Sequence, residues 1–253
     1  MNSKPPLLLL HGVAMSAAVW GEVLPMLEER FDLIVPTAPG HRGGPQIDGT
    51  ASIRALIDST EKTLDNRGLA TVHIAGNSMG GWMAIELARR GRASSVCAFS
   101  PAGFWSKHQP AEQSRKTLIR NKRLAKASSP FMPPLLRFAP IRRLVFKDAA
   151  SHGDRIGFEH AVQTFSDLAD CDIAFDLLRT TESVQPLSSP TCPITVAWSG
   201  NDRIFPPAQF VAVARQRLPD AQFVILPDVG HVPMIDDPGL CARVIIESAC
   251  VNS

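Results

Sequence analysis

Thr71 to Ala75 (TVHIA) is a short apolar run, Gly76-Asn77-Ser78-Met79-Gly80 follows it, and Met79 to Arg90 has the spacing of a helix. The first run predicts a strand, the last a helix, and the glycine-bracketed serine a turn between them. A serine in that place stands at the top of a strand-to-helix elbow. Its backbone is strained, and only small residues two places before and after it leave room. Gly76 and Gly80 hold those places. Ser78 is therefore the candidate nucleophile for attack on a carbonyl carbon.

A hydroxyl nucleophile needs a base to take its proton and a carboxylate to fix the base's tautomer. Pro193 to Ser199 (PITVAWS) reads as a buried strand, and Gly200-Asn201-Asp202 places a carboxylate just past its end. Gln222 to Leu226 (QFVIL) reads as the next strand, and its following loop carries His231, the last histidine in the chain. Asp202 is the candidate acid and His231 the candidate base. Asp228, on the base's own loop, and Asp220, in a Leu-Pro-Asp turn, are rivals for the acid. Leu7 to Leu10 reads as another apolar strand, followed by His11-Gly12-Val13-Ala14. The backbone amides of Met79 and Val13 are the candidate oxyanion donors, and Met79 also opens a helix whose positive end suits a developing negative charge. His11 reads as a structural loop histidine.

The same period analysis predicts strands at 32–35 and 95–99 and helices at 19–29, 51–66, 207–217 and 238–248. Alternating strands and helices argue for a parallel sheet with helices on both faces, of about six strands. The alternation fails only from Ala102 to Pro190, a proline-punctuated stretch that reads as short helices.

These motifs together resemble the α/β-hydrolases: the His11-Gly12 loop, the elbow Gly76 to Gly81, the acid loop SGNDRIFPP and the base loop GHVP. The resemblance covers nearly the whole chain. It implies a hydrolase core at 1–101 and 191–253 with a helical cap inserted at 102–190. The turn after the 32–35 strand departs from the family's usual Asp-x-Pro-Gly. Thr37-Ala38-Pro39-Gly40 stands there and is expected to loosen it. Met1 to Pro6 also leaves no room for the two strands that normally precede the first one here.

Composition sets bounds on this reading. With 253 residues, 45% hydrophobic and 20% charged, the chain supports one sizeable core. Its five cysteines fall in no metal or C-x-x-C spacing, which predicts a reduced setting. The sequence also shows no secretory leader, no apolar run of about 18 residues and no convincing prenylation box in its last four residues, so a soluble cytoplasmic protein is expected. No metal or organic cofactor is required by the chemistry.

Charge is segregated. Ser106 to Arg155 carries twelve lysines and arginines against Glu112, Asp148 and Asp154, an excess of nine, so the rest of the chain carries −7 within a total of +2. Apolar residues interleave with the basic ones, as in Phe131 to Phe138 and Ile141 to Phe146. Such a surface suits an anionic acyl carrier protein, a coenzyme A thioester or an anionic lipid surface, while its inner face roofs the pocket. The first loop and elbow also resemble esterases that demethylate carrier-bound pimeloyl esters. No nucleic-acid-binding module accompanies the charge.

Several chemistries of the family are disfavoured by residues. Epoxide hydrolases and haloalkane dehalogenases use an aspartate nucleophile, the former with cap tyrosines, whereas this chain has Ser78 and no tyrosine. Hydroxynitrile lyases of this type place a lysine after the base, where Val232 stands. Carbon–carbon bond hydrolases share Asn77 but usually follow the base with tryptophan, so Asn77 reads as a turn residue. Ester or thioester hydrolysis of an apolar acyl group remains, with carbon–carbon cleavage or cofactor-free perhydrolysis on the same residues as alternatives. A non-catalytic ligand-binding protein on this scaffold is the alternative of another class. Met15, Trp20, Phe104, Trp105, Phe165, Phe205 and Val232 are the candidate substrate-pocket residues.

Overall fold

A computed structural model of the chain describes residues 4–47, 49–105 and 111–250. Lys107 and Pro110 of the basic, proline-rich stretch and the C-terminal residues 251–253 lie outside the described residues. The strands are β1 (Pro6–Leu10), β2 (Asp32–Ile34), β3 (Val72–Asn77), β4 (Ala93–Phe99), β5 (Ile194–Ser199) and β6 (Gln222–Leu226). They form one parallel sheet in the order β2-β1-β3-β4-β5-β6.

Helices α1 (Leu24–Leu27), α2 (Ile53–Asn66) and α3 (Met79–Arg89) lie among the first four strands. Between β4 and β5 the chain leaves the sheet to form α4 (Glu112–Ser128), α5 (Met132–Leu135), α6 (Ala139–Val145), α7 (Phe158–Asp170) and α8 (Ala174–Leu178). Helix α9 (Pro207–Arg217) joins β5 to β6, and α10 (Pro233–Asp236) and α11 (Pro238–Cys250) follow. No described helix is long and apolar enough to cross a membrane.

Successive strand residues point to opposite faces, and here both faces are covered, which is why the strands are apolar throughout. Leu8, Leu10, Ile74, Val96 and Trp198 join the core formed with α2, α3 and α9. Leu7, Leu9, Ala75, Cys97 and Phe99 join the core formed with α11 and the short turn Ala17–Trp20. Burial raises the Cys97 thiol to about 12, so it packs as a small apolar group.

The helix expected at 19–29 is broken into the 3₁₀ turn Ala17–Trp20 and α1. Pro25 explains the break, because in a continuous helix its ring would clash with the carbonyl four residues earlier, whereas the first turn of α1 tolerates it. Two hydrogen bonds hold the turn at Thr37 to Gly40. The Ala38 amide donates to His11 Nε2 at 2.9 Å, and the Ala17 amide donates to the Thr37 hydroxyl at 3.1 Å.

After β1 the chain moves outward to β2 and then returns to β3 on the other side of β1. The connections therefore diverge between the C-terminal ends of β1 and β3, the crevice where open parallel sheets hold ligands. Both ends of the helical excursion are fixed to this core by one side chain. Arg217 donates to the carbonyls of Gly103 (3.0 Å), Val184 (2.8 Å) and Trp105 (2.9 Å).

Trp198 in β5 is fully buried and donates its indole N–H to the Phe205 carbonyl at 2.8 Å. Trp198→Ala should cost about 3–5 kcal/mol in urea unfolding, because a large cavity opens and that carbonyl loses its donor.

Candidate active site

Ser78 sits between β3 and α3 at φ 56° and ψ −113°, a conformation L-residues rarely adopt. Close packing explains the two flanking glycines. A Cβ on Gly76 would lie 2.2 Å from the Gly80 carbonyl oxygen, and one on Gly80 would lie 2.2 Å from the Leu10 carbonyl oxygen. Three backbone bonds hold the turn. The Ser78 amide donates to Phe99 at 2.9 Å, and its carbonyl accepts from Ala102 at 3.0 Å and Trp82 at 3.1 Å.

His231 Nδ1 donates to Asp202 Oδ2 at 2.8 Å, with both residues buried. An ionised carboxylate only accepts, so the imidazole proton is on Nδ1 and the Nε2 lone pair is left free. The other Asp202 oxygen accepts from the amides of Ile204 at 2.8 Å and Phe205 at 2.7 Å. Phe205 then stands edge-to-face on His231, with ring centroids 5.2 Å apart. Of the two rival acids, Asp228 is exposed, and Asp220 accepts from the Ser189 amide at 2.8 Å.

Ser78 and His231 line one cavity of about 440 Å³, together with Met15, Phe165, Leu168 and Val232. Among the described residues no hydrogen bond joins the Ser78 hydroxyl to the imidazole. Unliganded sites commonly hold such pairs long. Ser78 also lines a second cavity of about 260 Å³ with Val13, Met79, Trp82, Trp105 and Phe205. The two cavities share Val13, Ser78 and Leu118, so they open on either side of the serine. Among the described residues no protein acceptor takes the amide of Val13 or Met79.

Two candidate pocket residues lie elsewhere. Trp20 is fully buried beneath the sheet against Phe99, with ring centroids 6.3 Å apart, and Phe104 is buried against Trp198 at 6.2 Å. Both rings are absorbed by the cores on the sheet faces, below the strand ends that form the crevice. Met15, Trp105, Phe165, Phe205 and Val232 line the cavities.

Three supporting groups escape sequence reasoning. Asn77 is buried rather than a turn residue, and its amide donates to the His231 carbonyl at 2.9 Å, tying the elbow to the base loop. Asp236 is a buried carboxylate that accepts from the amides of Gly230 (2.6 Å), His152 (2.6 Å) and Ser151 (3.0 Å). It joins the base loop to the helical excursion, and the Val232 amide adds a bond to the Ala149 carbonyl at 2.8 Å. Asp167 on α7 likewise accepts from Ser16 at 2.5 Å and Arg42 at 3.1 Å, while burial pushes its carboxyl upward. The sequence signal available for Asp236 was its place five residues after His231, at the end of the apolar run Val232 to Ile235.

His11 is structural. Burial and the neighbouring His41 hold its pKa down to about 3, and burial lowers His41 to about 4. The two rings pack edge-to-face with centroids 4.9 Å apart.

A model described as the alpha/beta hydrolase family matches residues 7–244. The chain belongs to that family. As an α/β hydrolase it is an enzyme, and its relatives carry several activities. It is 32% identical over 207 residues to a protein named epoxide hydrolase EphH from Mycobacterium tuberculosis, covering 79% of this chain and 97% of that one. It is 26% identical to the pimeloyl-[acyl-carrier protein] methyl ester esterase of Aromatoleum aromaticum, covering 96% and 97% of the two chains. The structure of a thermophilic esterase from Thermogutta terrifontis superposes with a TM-score of 0.72 at 25% identity, covering 98% of this chain and 90% of that one.

Two predictions follow from the buried polar groups. Unfolding lets His11 and His41 titrate near 6.5, so below that pH the unfolded chain takes up protons that the folded hydrolase refuses. Stability should therefore fall as the pH drops from about 6.5 towards 4, by up to ~1.4 kcal/mol per pH unit for each imidazole, and His41→Phe should flatten that fall in urea titrations. Asp236→Ala strands three amide donors and should lower stability by about 2–4 kcal/mol and kcat with it, read by thermal unfolding and ester hydrolysis.

Proposed function

We propose that this α/β hydrolase cleaves a carboxylic ester or thioester of an apolar acyl group through an acyl-enzyme. The observation that carries the reading is the buried His231–Asp202 pair at 2.8 Å, whose His231 lines a cavity with Ser78. In this reading Ser78 Oγ attacks the carbonyl carbon as His231 Nε2 takes its proton. The oxyanion of the tetrahedral intermediate is held by the Val13 and Met79 amides, at the positive end of α3. Collapse breaks the bond to the alcohol or thiol, which receives the proton from His231. Water, deprotonated by the same imidazole, then releases the acid and restores Ser78.

The leaving group must face the imidazole that protonates it. The larger cavity, which His231 lines, is thus assigned to the alcohol or thiol portion, and the smaller one, beside Met79, Trp82 and Trp105, to the acyl group. The helical excursion serves as the cap that excludes water from both.

The relative named epoxide hydrolase raises a second chemistry, and the residues weigh against it. Attack on an epoxide by a carboxylate yields an ester that water can cleave, whereas attack by Ser78 would leave a stable ether. The chain also has no tyrosine to donate to an epoxide oxygen.

The test is hydrolysis of p-nitrophenyl esters from acetate to palmitate by wild type and Ser78→Ala, with fluorophosphonate labelling alongside and styrene oxide as a control substrate. The expected result is ester turnover and labelling that Ser78→Ala reduces by at least ~10³-fold, with rates falling as the acyl chain outgrows the smaller cavity. Epoxide opening that survives Ser78→Ala, or absence of both label and ester turnover, would overturn the assignment.

A further inference from the structure

Five large apolar side chains stand exposed within a short span of the helical excursion: Leu124 (60% accessible), Phe131 (72%), Leu135, Phe138 and Leu144 (62%). Elsewhere among the described residues only Met26, Phe158 and Ile225 are large, apolar and exposed, and these are scattered. Isolated exposed apolar residues are ordinary, but a cluster marks an interaction surface.

The charges around the cluster are not neutralised within the chain. Arg123, Arg137, Arg143 and Lys147 are exposed, and among the described residues none lies in an ion pair with a carboxylate. Other basic residues of the stretch are engaged: Arg120 pairs with Asp148, Lys126 with Asp170, Arg115 and Lys116 with Glu112. Lys122 is buried and donates to the carbonyls of Leu168 and Ala169. Arg142 turns inward to the carbonyls of Leu136, Arg137 and Asp154. The free cations therefore concentrate among the exposed apolar residues, and the Arg137 guanidinium lies 4.6 Å from the centre of the Phe138 ring.

This surface is also the rim of the larger cavity. Leu124, Met132, Leu144 and Lys147 line that cavity, and Leu124 and Leu144 are exposed as well. A path thus runs from the apolar, basic surface to Ser78.

We propose that α4 to α6 dock on an anionic lipid surface, with Phe131, Phe138 and Leu144 entering the headgroup boundary and Arg123, Arg137, Arg143 and Lys147 meeting its phosphates. Protruding phenylalanines distinguish this partner from an acidic carrier protein, since they need an apolar layer to enter and the cations need a negative one beside it. The docked orientation turns the larger cavity towards the lipid, so an amphiphile can enter without crossing water. The docking itself is independent of the acyl-enzyme reading and should be unchanged in Ser78→Ala.

The test is co-sedimentation of the full chain with phosphatidylcholine vesicles containing or lacking phosphatidylglycerol. Binding should require phosphatidylglycerol, weaken as salt shortens the screening length, and fall roughly fivefold for each of Arg137→Gln and Arg143→Gln. Phe131→Glu should abolish it while leaving hydrolysis of a soluble short-chain ester unchanged, which shows the variant to be folded. The proposal is overturned by no binding to either vesicle, by binding indifferent to these substitutions, or by a dimer in light scattering that Phe131→Glu dissolves. Binding of an acidic acyl carrier protein through the same residues, with no affinity for vesicles, overturns it equally.

Discussion

The backbone at Ser78 is the constraint on which the rest of the site depends. A non-glycine residue at φ 56° and ψ −113° costs about 1–3 kcal/mol, so its surroundings must over-determine it. They do so from three directions. Phe99 at the end of β4 takes the Ser78 amide, Ala102 and Trp82 donate to its carbonyl, and the carbonyls of Leu10 and Gly80 crowd the two flanking glycines. The elbow is therefore a product of three adjacent strands, and it lies where the chain diverges from β1 to β2 and β3.

The loops beyond the strand ends have no ladder to satisfy their amides, and buried carboxylates take that part. Asp202 accepts from two amides as well as from His231, and Asp236 accepts from three. Each carboxylate accepts donors from more than one segment, which costs less than leaving those donors unpaired in a dry interior. Their effect is positional. The acid loop, the base loop and the start of the segment after α6 form one hydrogen-bonded unit, so the excursion over the site is coupled to the imidazole.

The helical excursion has two chemically different sides. Its inner side supplies apolar walls such as Phe165 and Leu168, and one lysine, Lys122, is buried with its ammonium on two carbonyls. Its outer side keeps cations and large apolar groups together. The +9 charge excess read from the sequence is therefore not one uniform patch, because Lys126 pairs with Asp170 and Lys122 and Arg142 turn to backbone carbonyls, while among the described residues Arg123, Arg137, Arg143 and Lys147 stay unpaired beside Phe131, Phe138 and Leu144.

Much of the fold was legible because its signals are local. Apolar runs of strand length, glycines bracketing Ser78, and Asp202 and His231 just past two later strands all depend on neighbours in sequence, and the six strands lie within about two residues of the expected positions. The helix expected at 19–29 failed at Pro25, itself a local signal that hydrophobic periodicity outweighed. What the chain could not announce is which distant segments meet. Asn77 on the His231 carbonyl, Asp236 on the amides of Ser151 and His152, and the loss of Trp20 and Phe104 to the cores are contacts between segments tens of residues or more apart. The sequence by itself determined the elbow, the order of the candidate acid and base, and the alternating layers, since each follows from sterics and periodicity within a few residues. Only the tertiary structure decided which polar groups brace the site and which cations stay free, since both depend on the partners that folding brings together.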